Sequence, residues 1–355
     1  MAITIHDVAR RARVSVATVS RALNKPGLVR ETTRARILKA AKEIAYHPNR
    51  AARSLITGKT GNLGVIVPDL DNPFYPSVVR GVQARAHQAG YALLLGDSGE
   101  DAAAEQNLVH TMAKQVDGVI LCAPFSSDAQ VARLTQAVSL VLVNRRLRNV
   151  PAVLMDAAHG MRQVIDHLLS LGHRSCAFLS GPLEAWSNRE RRRGLHAAVR
   201  AHAMELHEFG PFEPKFAGGV QGADLALAAG ISAIVAFNDL MALGVLSRLA
   251  ARGIRVPEDI SVVGCDDVLY AAMCAPPLTT VAMPMEEAGR VAVDLLLSQY
   301  LEDAGRAIPF SQTKLPTNLI VRATTAAPTR RGVTRELPTL RSRSVLENPR
   351  AKARS

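Results

Sequence analysis

The chain opens on two short stretches in which apolar residues recur at helical spacing. Ile5, Val8 and Ala9 share one face of a first helix, and Val19 and Leu23 share one face of a second. Ser15 stands just before the second, where its hydroxyl can accept from the free amides of the opening turn. With Val19 and Leu23 turned inward, Val16, Ala17, Ser20 and Arg21 face outward. Small apolar groups and an arginine on an exposed helix suit the major groove of double-stranded DNA, methyls against thymine and a guanidinium fork against guanine. The pattern is that of a helix-turn-helix whose reading edge runs from Val16 to Arg21.

From Asn62 the pattern changes. Short apolar runs at 63–67, 91–95, 118–121, 140–143, 153–155, 175–180, 234–237 and 260–263 predict buried strands. Helices lie between most of them, among them 76–89 and 102–114. Such alternation predicts an α/β fold with parallel sheets covered on both faces. Ligands of open sheets of this type bind beyond the carboxyl ends of the strands. The polar residues ending each run are therefore the candidates: Asp69 to Phe74, Asn144-Arg145, Asn238-Asp239 and Asp266-Asp267.

Between head and first strand, Pro48 stops a helix, Asn49 can cap a short new one and Gly58 can close it. Two turns that pack on no core are marginal alone in water, so this segment would form only when stabilised. Ala51, Ala52 and Leu55 would share its narrow face, flanked by Arg50, Arg53 and Lys59. A leucine so placed can wedge a minor-groove base step. An ordinary interdomain linker accounts for the same composition equally well.

Charge sharpens the division. Residues 1–59 hold 13 Lys and Arg against 3 Asp and Glu, residues 60–321 hold 21 against 26, and the remainder holds 9 against 2. A strongly basic head on a mildly acidic body fits a polyanion-binding module fused to something else. No apolar run is long enough to span a membrane and no secretory pattern opens the chain, which predicts a cytoplasmic protein, nucleoid-associated when bound to DNA. Cys122, Cys176, Cys265 and Cys274 lack CxxC spacing and read as buried reduced thiols. No metal-ligand cluster, nucleophile–base pair or phosphate-cradling glycine loop stands out, so neither a cofactor nor catalytic residues are expected. A sugar-binding protein without a regulatory role would fit residues 62–325 alone, but not the head and hinge.

The motifs IHDVARRARVSVATVSRALN, YHPNRAARSLITGKTGNLGVIVPDLDNPFY, LLSLGHR, AFNDLMALGVL and VPEDISVVGCDDVLYAAMCAPPLTTV resemble those of the lactose-repressor (LacI/GalR) family, over residues 3 to about 325. The resemblance implies a helix-turn-helix domain (1–48), a hinge helix and linker (49–60) and a periplasmic-binding-protein-like body (61–325). That body would have two subdomains, with the chain crossing near 157–160, 283–288 and 315–323. It also implies a homodimeric repressor on a pseudo-palindromic operator, controlled by a small effector held between the subdomains: a sugar, sugar acid or sugar phosphate. Val16, Ala17 and Arg21 fall on base-reading positions, Thr18, Ser20 and Asn24 on phosphate contacts, and Leu55 on the central wedge. Thr4, Ser15, Asn49 and Ala52 complete the expected DNA-binding set. Phe74, Asn144, Arg145, Trp186, Arg191, Asn238 and Asp266 fall on or beside ligand positions.

Three departures stand out. Arg13 occupies a turn position where the family usually has glycine, and a left-handed residue with a side chain costs about 1–2 kcal/mol. Asn144 stands where aspartate is common. The run Arg189-Glu190-Arg191-Arg192-Arg193 is unusually basic, which fits either a solvated helix face or a pocket for a carboxylate or phosphate. Trp186 could offer an apolar face to a sugar ring or serve a core or surface role. From Ala326 the composition predicts a basic, disordered tail without heptad spacing.

Overall fold

The computed structural model describes residues 3–24, 26–46, 59–301 and 311–329. The expected hinge residues Asn49, Ala52 and Leu55 lie outside them, as does the tail beyond residue 329. In the head, helix α1 (Ile5–Ala12) starts at Thr4, whose backbone N–H and hydroxyl both donate to the Asp7 carboxylate, at 2.9 and 2.8 Å. Those bonds hold the Asp7 carboxyl below its usual range. The helix ends at Arg13, left-handed at φ 52° and ψ 50°, whose N–H returns to the carbonyls of Ala9 and Arg10. The turn thus keeps the left-handed geometry of a helix C-cap with an arginine in it.

Helix α2 (Val16–Asn24) follows Ser15, whose hydroxyl accepts from the Thr18 amide at 3.2 Å. A short 3-10 turn (Pro26–Leu28) leads to α3 (Glu31–Glu43). Val8, Ala9, Ala12, Val19, Ala22, Ile37, Ala40 and Ala41 close a small core among the three helices. Arg11 reaches Glu43 at 2.7 Å and ties the first helix to the third.

The body divides into two compact units. One runs to Met155 and takes back Pro284–Leu315; the other holds Asp156–Met283 and the chain from Pro316. The first unit contains β1 (Asn62–Val67), α4 (Phe74–Gln88), β2 (Ala92–Asp97), α5 (Ala102–Met112), β3 (Val119–Cys122), α6 (Asp128–Leu134), β4 (Leu140–Val143) and β5 (Ala152–Met155). The second contains α7 (Ala157–Ser170), β6 (Ser175–Leu179), α8 (Trp186–Ala201), β7 (Glu205–Phe209), α9 (Phe216–Ala228), β8 (Ala233–Ala236), α10 (Asp239–Ala251), β9 (Ser261–Asp266), α11 (Leu269–Met273) and β10 (Thr279–Ala282). The chain then returns α12 (Met285–Leu301) and β11 (Gln312–Leu315) to the first unit and gives β12 (Asn318–Ile320) to the second.

Each unit is built on a six-stranded sheet, ordered β11-β5-β4-β3-β1-β2 in the first and β12-β10-β9-β8-β6-β7 in the second. All pairings are parallel except β12 with β10. Strands β1, β3, β4, β8 and β9 are buried along almost their whole length, as their unbroken apolar runs predict.

Four strands lie outside the expected series. Strands β7, β11 and β12 are sheet edges with polar residues facing water, so no apolar run marks them. Strand β10 is internal, but its buried Thr279 and Thr280 hide it from a hydrophobicity reading.

Helix pairs in both units touch backbone to backbone. A Cβ at Gly81 of α4 would collide with the Glu286 carbonyl of α12, and one at Gly219 of α9 with the Met241 carbonyl of α10. Glycine is required there by close approach, not by a turn. The run LLSLGHR ends α7, bends at Gly172 (φ 99°) and buries His173. The His173 ring lies 2.8 Å from the Ser232 hydroxyl through Nδ1 and 3.0 Å from the Ala326 carbonyl through Nε2. The Ala326 amide also donates to Ser261 Oγ at 3.1 Å. The stretch expected to be disordered therefore begins with a residue fixed to the second sheet, because His173 and Ser261 meet its backbone.

Gly219→Ala should destabilise the protein by about 1–3 kcal/mol through overpacking, read as a lowered urea midpoint. Burial holds both His173 and His167 below the ordinary histidine value of 6.5. The unfolded chain then binds their protons more readily, so stability should fall as pH drops below 6.5. Urea midpoints taken on either side of that pH should diverge less in His173→Gln than in the parent.

Candidate DNA-reading helix and effector site

On α2, Ala17 and Arg21 are exposed, while Val16, Thr18, Ser20 and Leu23 are half-buried. Val16 and Leu23 lean on the head core, and Val19 is fully buried beneath them. The Ser15 and Thr18 hydroxyls share a hydrogen bond at 2.8 Å where α2 begins, beside the amides that a helix start leaves free. The edge left for a groove is thus Ala17 and Arg21, with half-exposed Val16 beside them, hydroxyls at the helix entrance and Asn24 closing the helix. Thr4 is placed differently from the expectation of a free DNA contact. Its hydroxyl already donates to Asp7, and its first task is to start α1.

In the second unit the expected ligand residues gather beyond the carboxyl ends of β6, β8 and β9. Asn188 of α8 is fully buried and donates to Ser180 Oγ and the Gly181 carbonyl, at 3.0 and 3.2 Å, fixing α8 against the end of β6. One turn on, Arg191 is 3% exposed and reaches the end of β9. Its guanidinium donates to the Asp266 carboxylate at 2.7 Å and to the Cys265 sulfur at 3.2 Å, and lies 4.3 Å over the Phe237 ring. Gly181 packs against that same ring, where a Cβ would overlap it.

Burial pushes the Asp266 carboxyl above its usual range, while the Arg191 charge pulls it back. Asp266 holds φ at 124°, strained for a residue with a side chain. Behind it, Asp239 is wholly buried, accepting from the Thr280 hydroxyl at 2.5 Å and the Val268 amide at 2.9 Å. Burial raises its carboxyl too.

The basic run of α8 resolves into separate contacts. Arg189 stacks over Trp186 at 5.7 Å, Arg191 takes Asp266, Arg192 bonds Glu208 at 2.9 Å, and Arg193 bonds Glu190. The arginine forks are thus met by carboxylates of the chain or by an aromatic face, which weakens the expectation of a pocket for an anion. Asn238 also departs from a free ligand contact. Its side chain caps α10 by accepting from the Met241 amide at 2.9 Å, and donates to the Pro214 carbonyl at 2.8 Å. Phe237 and Cys265 were not singled out for the site, because a strand-terminal apolar residue carries no chemical signature. Phe237 directly precedes a polar strand end, the one signal that could have found it.

In the first unit, Phe74 opens α4 beyond the end of β1, buried and edge-to-face with Tyr75 at 5.1 Å. Asn144 follows β4 at φ 57°, a conformation asparagine tolerates better than most residues. Arg145 is buried and donates to Asp128 at 2.6 Å and to the Pro124 carbonyl at 2.7 Å. It clamps the loop after β3 with one hydrogen bond from each terminal nitrogen, while its buried Nε meets no partner. Among the described residues no group of His, Cys, Asp and Glu is arranged to hold a metal ion, and no helix is long and apolar enough to cross a membrane.

Residues 4–49 match the family model of bacterial regulatory proteins, lacI family, and residues 165–325 match the periplasmic binding protein-like domain. The chain is 33% identical to the ribose operon repressor of Halalkalibacterium halodurans over 325 residues, covering 91% of this chain and 97% of that protein. A crystal structure of the lac repressor dimer bound to operator and the anti-inducer ONPF superposes with a TM-score of 0.80 at 30% identity, over 92% of this chain and 100% of that one. The complex of the transcriptional regulator CelR with cellobiose gives 0.67 at 31% identity, over 91% and 99%. A basic head with an exposed reading helix, joined to two parallel-sheet units, thus has full-length counterparts, and the chain belongs to the lacI family of bacterial regulatory proteins, DNA-binding transcriptional regulators rather than enzymes.

Proposed function

We propose that the protein is a homodimeric repressor of a pseudo-palindromic operator, and that a neutral sugar bound at the carboxyl edge of the second sheet changes its operator affinity. The observation that carries the effector class is the buried Arg191–Asp266 pair lying on Phe237. Together the two side chains place donors beside an acceptor with no net charge, which matches neighbouring hydroxyls of a sugar. A sugar acid or phosphate would need a guanidinium free of its own carboxylate, whereas Arg191, Arg192 and Arg193 each hold one and Arg189 lies over Trp186. The bound cellobiose of CelR and the operon controlled by the ribose repressor support a sugar. The dimeric, operator-bound lac repressor supports the assembly. So does α11, where Leu269 and Met273 are 71% and 69% exposed beside a half-exposed Tyr270.

Coupling of about 1–3 kcal/mol between effector and operator is enough for control. A regulator that reads chromosomal operators works in the cytoplasm, on the nucleoid. Residues Val16, Ala17 and Arg21 are the base readers in this proposal, with Ser15, Thr18, Ser20 and Asn24 on phosphates.

The direct test is anisotropy of a labelled CG-centred palindrome against a scrambled duplex, at two salt concentrations, with and without neutral sugars, sugar acids and sugar phosphates. Preference for the palindrome, altered by a neutral sugar alone, is the expected result. A response to gluconate-like or phosphorylated sugars only would reverse the effector class. Arg21→Ala should lower discrimination at one base position by about 1–3 kcal/mol, seen by competition with single-base operator variants. Asp266→Asn should abolish the sugar response in calorimetry while the sugar-free protein keeps its operator affinity.

A further inference from the structure

We propose that Arg13 is a DNA-phosphate contact of this chain, a role that rests on the operator-binding reading of α2. The residue sits in the turn between α1 and α2 at φ 52°, where glycine would be free of strain and an arginine is not. The turn geometry therefore gives no reason for a long charged side chain, and that side chain is exposed.

Charge pairing in the head separates Arg13 from its neighbours. Residues 1–59 contain three carboxylates, Asp7, Glu31 and Glu43. Asp7 pairs with Arg10 at 3.4 Å, Glu31 with Arg34 at 3.5 Å and Glu43 with Arg11 at 2.7 Å. Arg10 and Arg11, just before the turn, are thus balanced inside the head. Arg13 pairs with no carboxylate among the described residues, and neither does Arg21 at the far end of the helix. The two guanidiniums bracket α2.

Their places give them different targets. Arg21 projects from the helix face that bears Ala17, toward base edges. Arg13 precedes Ser15 by two residues, outside the helix, beside the hydroxyl pair and free amides at its start. Phosphate is the group that such an entrance attracts. A guanidinium there adds a charge-assisted fork to a site that otherwise offers neutral donors.

The test compares the full-length protein with Arg13→Gly, Arg13→Gln and Arg13→Lys on the palindrome and on scrambled DNA, from about 50 to about 200 mM salt. Arg13→Gly and Arg13→Gln should weaken both complexes about three- to tenfold at the low-salt end. Their slope of log affinity against log salt should be shallower by about 0.9 for each head engaged. Arg13→Lys should keep the parent slope. Arg13→Gly should also slow hydrogen exchange at the Val8 and Ala9 amides, since relief of the turn strain stabilises α1. A strained but DNA-indifferent arginine would show that slowing with unchanged slopes, and that result overturns the proposal. Loss confined to the palindrome would also overturn it, making Arg13 a base contact. Arg21→Ala runs alongside: if it and the parent fail to discriminate the palindrome, the operator reading fails, while the Arg13 slopes still answer their own question.

Discussion

Parallel pairing is the constraint from which the functional layout follows. Strands that run the same way deliver all their carboxyl ends to one edge of a sheet, and burial on both faces keeps charged side chains out of the interior of the central strands. In the second unit β6, β8 and β9 therefore bring Ser180, Phe237-Asn238 and Asp266 together, although 86 residues separate the first from the last. The helix that follows β6 supplies the remaining member. Buried Asn188 sets where that helix begins its climb, and Arg191 lands on the aspartate of a strand two places away. In the first unit Phe74 and Asn144-Arg145 reach the corresponding edge by the same logic.

The price of such a layout is charge taken out of water. Arg191, Asp266 and Asp239 lie together in the second unit, each almost wholly buried. Removing one partner of a pair of this kind typically costs about 3–5 kcal/mol, because the other is left uncompensated. The site can hold its charges only through a full set of internal partners: Cys265 and Phe237 for the guanidinium, Thr280 and the Val268 amide for Asp239. Those partners also fix the geometry, so an incoming ligand meets groups already oriented.

Which parts were legible in the sequence follows from what each feature presents to a one-dimensional reading. The reading helix was legible because Val19 and Leu23 must go inward, which leaves Ala17 and Arg21 out. The central strands were legible as apolar runs such as that of β1. Strand β7, reading Glu-Leu-His-Glu-Phe, was not, since an edge strand tolerates charge on its open side. The partners of arginines were not legible either. Nothing local says that Arg145 will be taken by Asp128, or that Arg192 will find Glu208 across the sheet edge. The left-handed turn at Arg13 was foreseeable only from resemblance, and its neighbours' ion pairs only from the folded head.

The route of the chain has a consequence for its birth on the ribosome. Strands β11 and β12 are separated by Pro316 and Thr317 alone, yet each completes a different sheet. Until this late stretch emerges, β5 of the first sheet and β10 of the second stand as open edges. Neither unit can finish folding before this stretch is made, however early its other strands are. Nascent chains must therefore wait with two unpaired, apolar strand edges, the kind of surface that recruits chaperones or other nascent chains. A chain ending before Gln312 would leave both sheets unfinished, so truncation at that point is expected to abolish both units at once.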